Sequence, residues 1–400
     1  MMELTPKQQV VNILRSKQKF LLYTHKSPDG DAVGSLLALF LSLKKLNKEA
    51  MAICNDAAPT IFSYLSDVGV IKQEFNGSRD FVISVDTSKI KADKLLYKTR
   101  DNFIDIIITP ENGQFDQGMV SFPSGNFQYE AIIVLDATDL ERLGSIYEKN
   151  AEAFYELPVV NIDHHSANSH YGKINLVDIT ATSTSEILVS VLEALAGDPK
   201  FIDEQIATAL LTGIIADTNS FQNANTTPKS LTVAAQLVAA GAHQQDIIKN
   251  VYKTKPLSTL RLWGRALSNL HDEKENHFVW SELYKKDYLE VGATESESSG
   301  VIDELLKTAS GVDFALLLTE RNGDVYGSLR SVDSSTDVLE IAKVFDGGGH
   351  PMAAAFQVNR TTLLESSNMI IQRIREFYKE RNKSSQVRPP DGTAPIMKVE

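Results

Sequence analysis

The 400-residue sequence lacks the features that mark several large classes of protein. It has one cysteine, Cys54, which excludes an intramolecular disulfide framework and fits a reducing compartment. No apolar run approaches the roughly 20 residues that a membrane span requires; the longest lies around Leu36 to Leu41. Met1 to Phe20 mixes charged and apolar residues and has no signal-peptide core. Positive charge is also short. Lys and Arg number 40 against 52 Asp and Glu, for a net charge of −12, so affinity for duplex DNA through a general basic surface is disfavoured. There is no internal repeat and no low-complexity tract. The expectation is a cytoplasmic protein with neither a membrane nor duplex DNA as partner. An anionic substrate then needs local charge reversal, which bound divalent cations supply best.

The rest of the composition is that of a globular protein, 42% hydrophobic and 23% charged. Four hundred residues exceed one ordinary core, so two domains are expected. The fold class read from the pattern is α/β, with a mostly parallel N-terminal sheet flanked by helices, a helical connector and a smaller C-terminal α/β domain. The expected boundaries are 1–252 for the first domain, with an insertion at about 80–128, then 253–275 for the connector and 276–382 for the second domain. The polar tail 383–400 is expected to be disordered.

Within the first domain, apolar runs end in polar clusters. Phe20–Thr24 leads into a loop, marked by Pro28 and Gly30, that carries His25, Asp29 and Asp31; a turn with Asp31 capping the next helix is the plain structural alternative. Ala131–Leu135, a continuous apolar run suited to a central parallel strand, ends at Asp136, with Arg142 and Gly144 beyond. Leu157–Val160 leads to Asp163-His164-His165. Ile202–Leu211 reads as a helix, and the run Gly213–Ala216 then delivers Asp217 as at a fourth strand end. Ser183 and Glu186 fit a capping box. Phe81–Val85, ending at Asp86, and Phe103–Thr109, followed by a turn signal at Glu111–Gln114, are further strand candidates. Ligands of open α/β sheets bind at the C-terminal ends of the strands. Four strand ends rich in carboxylate, with imidazole added, suit manganese or magnesium better than zinc. Two such ions clamp an in-line phosphoryl displacement, and Asp136 on the central strand is the natural bridging ligand. In the second domain, Arg330 and the run Gly347-Gly348-Gly349-His350 are candidate phosphate contacts.

The order His25-x3-Asp29-x-Asp31, Asp136, Asp163-His164-His165 and Asp217 resembles the four-motif pattern of the DHH phosphoesterase superfamily. Gly347-Gly348-Gly349-His350, preceded by Gly327-Ser328-Leu329-Arg330, is similar to the DHH-associated domain of RecJ-type nucleases and nanoRNase/pAp phosphatases. The resemblance implies the DHH fold and two divalent metal ions, Mn2+ foremost and Mg2+ second. One ion would take His25, Asp29 and Asp136, and the other Asp31, Asp136, His164 and Asp217. It further implies that His165 faces the substrate phosphate, that Asp163 supports the histidines, and that Arg142, Arg330, Gly347, Gly348, Gly349 and His350 bind substrate. Asp86 competes for the place of Asp136. Because Arg142 follows Asp136 at the family's spacing, Asp86 is expected to lie in the insertion and bind no metal. The implied activity is hydrolysis of short oligonucleotides or of adenosine 3',5'-bisphosphate, with cyclic di-AMP or its linear product as alternative substrates. An inorganic pyrophosphatase and a catalytically silent nucleotide-binding protein are the other readings. A homodimer is possible from the resemblance alone.

Overall fold

Five short strands, three of them apolar almost throughout, form the framework of the first unit. The computed structural model describes residues 4–75, 79–198, 200–298, 300–333 and 335–385, and the chain divides into two compact units, Met1–Thr254 and Lys255–Glu400. The first unit opens with α1 (Pro6–Ser16), β1 (Lys19–Thr24), α2 (Gly30–Lys45) and β2 (Glu49–Ile53). Short antiparallel pieces follow: β3 (Arg79–Phe81), β4 (Ser84–Val85), β5 (Ala92–Arg100), β6 (Phe103–Pro110), β7 (Val120–Ser121) and β8 (Ser124–Phe127). Then come β9 (Ala131–Leu135), α3 (Ser145–Lys149), α4 (Ala151–Glu156), β10 (Val159–Asp163), β11 (Ile174–Val177), α5 (Thr184–Ala196), α6 (Glu204–Asp217), α7 (Pro228–Ala239) and α8 (Gln244–Tyr252).

The main sheet is parallel throughout, in the order β11-β10-β9-β1-β2. Both faces are covered, as parallel sheets require. Phe20, Leu22, Ile133, Leu135, Val160 and Ile162 pack with α1, α2, α5 and α6. Leu21, Tyr23, Ile132 and Val134 pack on the other side with Ile146 and Phe154. The register levels the strand ends: Thr24 pairs with Leu135, and Leu135 with Ile162. His25, Asp136 and Asp163 therefore occupy the next row, side by side on the C-terminal edge.

Three sequence expectations change here. Asp217 does not end a strand; it is the last residue of α6, which continues through Gly213. The apolar run Gly213–Ala216 is helical because Gly213 lets α6 lie against α5 and α2: a Cβ there would collide with Ser185 and Asp31. Phe81–Val85 is not one strand: Phe81 ends β3 and Ser84-Val85 form β4, and both pieces, like β6, lie outside the main sheet within the expected insertion. Finally, β6 pairs with the preceding β5 through a turn at Asp101-Asn102, where Asp101 has φ 39°, so the turn signal at Glu111–Gln114 does not make the hairpin.

The second unit contains α9 (Leu257–Ser268), β12 (His271–Glu273), β13 (Phe278–Leu283), α10 (Lys285–Val291), α11 (Val301–Glu304), β14 (Phe314–Arg321), β15 (Asp324–Ser331), α12 (Val338–Lys343), β16 (Gly348–His350), β17 (Ala353–Val358) and α13 (Leu363–Ser385). Its sheet runs β12-β13-β14-β15-β17-β16, with only β13 and β14 parallel. Alternation along β14 serves two cores. Phe314, Leu316 and Leu318 face α12 and α13, and Ala315 and Leu317 face α9 and α10. The segment read as a helical connector thus has Leu262, Trp263 and Ala266 of α9 in that second core. α13 runs to Ser385, so residues 383–385 of the expected disordered tail are helical. The remainder of that tail, 386–400, lies outside the described residues.

Candidate active site

Each side chain at the sheet edge is held by a short local device. His25 follows β1 and is buried; its Nδ1 lies 2.8 Å from the Lys26 carbonyl, which turns Nε2 inward. That Nε2 is 3.6 Å from Asp136 Oδ2 and 3.9 Å from Asp29 Oδ2. Asp29, not Asp31, is the N-cap of α2: its Oδ1 accepts the Asp31 and Ala32 amides at 3.0 Å. Asp31 is fully buried, and its two oxygens accept the Thr184 amide at 2.6 Å and the Ser185 amide at 2.9 Å, the opening N–H groups of α5. Asp136 sits in the left-handed region, φ 58°, and Thr184 Oγ1 donates to its Oδ1 at 3.1 Å. Thr184 thus ties two of the carboxylates together.

Asp163 is saturated by its own surroundings. Oδ1 accepts the His164 amide (2.7 Å) and the His165 amide (3.2 Å) and lies 2.8 Å from His165 Nδ1, while Asn168 Nδ2 donates to Oδ2 at 2.6 Å. Asn168 in turn pairs with the buried Asn161 of β10. His164 points elsewhere, its Nε2 3.1 Å from Asp217 Oδ2 and 3.6 Å from Asp136 Oδ1. The short approach to Asp217 is not aligned as a hydrogen bond, and Nε2 is buried without another partner.

Three groups of potential ligand atoms result, each within 4.8 Å: His25/Asp29/Asp136, Asp31/His164/Asp217, and Asp136/Asp163/His164/His165. Asp136 belongs to two of them. In the last, the donors already on Asp163 leave it an orienting group for His165 rather than an open ligand. The carboxylates crowd one another. Asp31 is held well above the usual carboxylate range, first by burial and then by Asp136 and Asp217. Asp217 is pushed up to about 8 by burial, then by Asp136 and Asp29. Burial would lower His25, but its contact with Asp136 raises it on balance. Hydrogen bonding to Asp163 raises His165. Burial would raise Asp163, yet the contacts from His165 and Asn168 bring it below its ordinary value.

The crowded carboxylates, two of them (Asp31 and Asp217) with raised proton affinity, and a buried imidazole nitrogen lacking an aligned donor or acceptor fit a site for two divalent cations, whose charge offsets that crowding.

The other sequence candidates are placed as follows. Arg142 lies in a 3₁₀ turn after β9, where Lys26 donates to its carbonyl at 2.7 Å; its side chain is exposed. Asp86 is exposed, bonded to the Ser88 amide, and belongs to none of the three groups. In the second unit, Arg330 on β15 and His350 on β16 both align with Ala353 of β17, which puts them in one row on one face of that sheet. Arg330 Nε donates to Asp303 at 2.8 Å. A Cβ on Gly347 would collide with the Ala355 and Ala342 carbonyls, whereas Gly348 faces open space and Gly349 has φ 139°. The capping box at α5 is half formed: Ser183 Oγ accepts the Glu186 amide, but the Glu186 carboxylate accepts from Thr182 and pairs with Lys229. Asn168 and Thr184 were missed as site residues. Both sit beside recognised motifs, and only their distances reveal them.

Two family models match the chain, the DHH family N-terminal domain over residues 19–214 and the DHHA1 domain over residues 282–380. The chain belongs to the DHH family. It is a phosphoesterase of that family carrying a DHHA1 domain. Among curated relatives, the bifunctional oligoribonuclease and PAP phosphatase NrnA of Thermus thermophilus is 26% identical over 353 residues, 88% of each chain. The protein of the same name from Bacillus subtilis is 30% identical over 238 residues, 58% of this chain and 72% of that one. An exopolyphosphatase-related protein from Bacteroides fragilis shares the fold, with a TM-score of 0.71 at 21% identity over 94% of this chain and 97% of that one. No helix among the described residues is long and apolar enough to cross a membrane.

Proposed function

We propose that this DHH-family phosphoesterase hydrolyses short oligonucleotides to mononucleotides and adenosine 3',5'-bisphosphate to AMP, using two divalent cations, Mn2+ foremost. The observation that carries the reading is the position of Asp136, which groups with His25 and Asp29 and whose Oδ1 lies 3.6 Å from Nε2 of His164, a member of the Asp31/His164/Asp217 group. In this reading His25, Asp29 and Asp136 hold one ion, and Asp31, Asp136, His164 and Asp217 hold the other. Bound ions activate water and neutralise charge on the phosphate.

The protein's own part is positioning and proton handling. Asp163, fixed by Asn168, orients His165 through Nδ1, which leaves the Nε2 edge of a half-exposed ring turned to the substrate as donor or acid. Its raised proton affinity suits that role. Arg142, Arg330, Gly347, Gly348, Gly349 and His350 contact the phosphate or nucleotide; the shared row of Arg330 and His350 supports a joint role for those two. The names of the Thermus and Bacillus relatives support the substrate class. The acidic balance of the chain supports short substrates over duplex DNA, and the single cysteine supports a cytoplasmic setting.

The test is manganese-dependent turnover of a dinucleotide, adenosine 3',5'-bisphosphate, pyrophosphate and cyclic di-AMP side by side. The first two are expected to be preferred. Preference for pyrophosphate, or metal binding with no turnover of any of the four, overturns the assignment.

A further inference from the structure

Between His25 and Asp29, the loop after β1 turns through a backbone conformation that its own residues resist. Ser27 has φ 53°, a region that residues other than glycine seldom adopt. The proline that follows it favours extended backbone at the same position. Such a conformation persists only where neighbouring groups impose it. The ends of the loop are fixed by the fold, His25 as the residue after β1 and Asp29 as the N-cap of α2. The middle is held from outside.

The holding groups come from the end of β2, a strand that supplies no atom to the three ligand groups. Its register pairs Tyr23 with Ile53, which brings Cys54, Asn55 and Asp56 beside the loop. Asp56 Oδ2 accepts the Ser27 amide at 2.6 Å. Asn55 orients that carboxylate: its Nδ2 donates to Asp56 Oδ1 at 3.0 Å, and its Oδ1 accepts Ser145 Oγ at 2.9 Å. Cys54 Sγ donates to the His25 carbonyl at 3.2 Å. Ser145 closes the turn of Arg142, whose carbonyl accepts the Lys26 amide at 2.7 Å. One anchor therefore serves both the loop of His25 and Asp29 and the turn that carries Arg142.

We propose that Asp56 is a positioning residue of the metal site. By holding the Ser27 amide it fixes His25 and Asp29 relative to each other, and so sets the affinity for the ion that these two share with Asp136. The inference rests on the two-ion reading above. Its effect is confined to that ion, because Asp31 takes its holding contacts from the first amides of α5 and Asp217 is carried by α6. An ionised carboxylate on a backbone N–H makes one of the stronger hydrogen bonds, and a carboxamide in its place keeps the acceptor without the charge.

Mn2+ titration calorimetry of the full chain after chelation tests it. The wild type is expected to show two binding events. Asp56→Ala is expected to weaken one of them about 10- to 100-fold and to leave the other within about twofold, while hydrogen exchange over residues 24–29 of the chelated protein quickens. Asp56→Asn is expected to stay within about threefold of the wild type. Ser27→Gly added to Asp56→Ala is expected to recover about threefold or more, because glycine takes positive φ freely. A wild type with fewer than two binding events overturns the two-ion reading and this inference with it. Where the wild type shows both, an Asp56→Ala protein that binds both ions as the wild type does, or loses both equally, overturns the positioning role alone. Asp56→Asn as damaging as Asp56→Ala, or no recovery with Ser27→Gly, means that Asp56 does not act through the Ser27 amide and overturns it too.

Discussion

Asp163 accepts from four donors on two oxygens, and three of those contacts come from His164 and His165 themselves. That arrangement sets the conserving element of the site at a residue outside the motif. Without Asn168, Oδ2 of a buried carboxylate loses its donor, and the remaining contacts no longer fix the ring of His165. Asn168→Ala is expected to lower kcat about 10- to 100-fold with bound metal and KM little changed. His165→Ala is expected to cost more, about 10²- to 10⁴-fold, if the ring supplies a proton. Single-turnover kinetics with metal analysis checks both; a twofold or smaller effect of Asn168→Ala removes it from the positioning role. Asp136→Asn is the stronger test of the shared ligand. It is expected to reduce metal content at both positions, whereas Asp86→Ala changes neither metal content nor turnover. Loss of activity in Asp86→Ala with intact metal in Asp136→Asn would reverse the assignment.

At the scale of elements, the site is made by strands that announce themselves and by a helix that does not. Ala131–Leu135 and Val159–Asp163 are buried throughout, so their apolar runs could be read as central strands and their terminal acids as neighbours. The apolar stretch before Asp217 is equally apolar, and short runs of that kind do not distinguish strand from helix by periodicity. What fixes it as helix is tertiary. Gly30 and Gly34 on α2 lie against Ala216 and Ala209 of α6, so closely that a Cβ on either would collide. Phe103–Thr109 was legible as a strand within an insertion, but its pairing with the preceding β5 was not, because the partner of a strand is not written in its own alternation. The α2–α6 contact carries its own prediction. Gly34→Ala must push α6 away, at about 1–3 kcal/mol, and Asp217 moves with the helix that ends on it. A lower melting temperature and weaker metal binding should appear together. Gly264→Ala on α9 meets nothing within 4 Å and is expected to be neutral or stabilising by about 0.5–1 kcal/mol. If Gly34→Ala lowers stability but leaves metal affinity untouched, Asp217 does not depend on that packing.

For the whole molecule, the crowded carboxylates link stability to pH and metal. Asp31 and Asp217 have raised proton affinity in the folded chain, Asp217 up to about 8. A carboxyl raised on folding binds its proton more tightly folded than unfolded. Its contribution is complete below the ordinary carboxylate range and is lost as pH rises through the folded value. His25 and His165, raised as well, act in the same direction above their ordinary value, and Asp163, lowered, acts oppositely only in acid. The chelated protein should therefore lose melting temperature steadily between about pH 5 and 8. Divalent cations displace those protons and remove the repulsion, so the gain from metal should grow over the same interval. At metal concentrations about 100-fold above Kd, each site adds ~2.7 kcal/mol, a combined shift on the order of 10 °C for a unit of this size. Calorimetry of chelated and Mn2+-loaded protein at pH 6 and pH 8 measures it directly. A metal-induced shift that is the same at both pH values would mean that Asp31 and Asp217 do not give up protons when metal binds, and that the ligand set lies elsewhere.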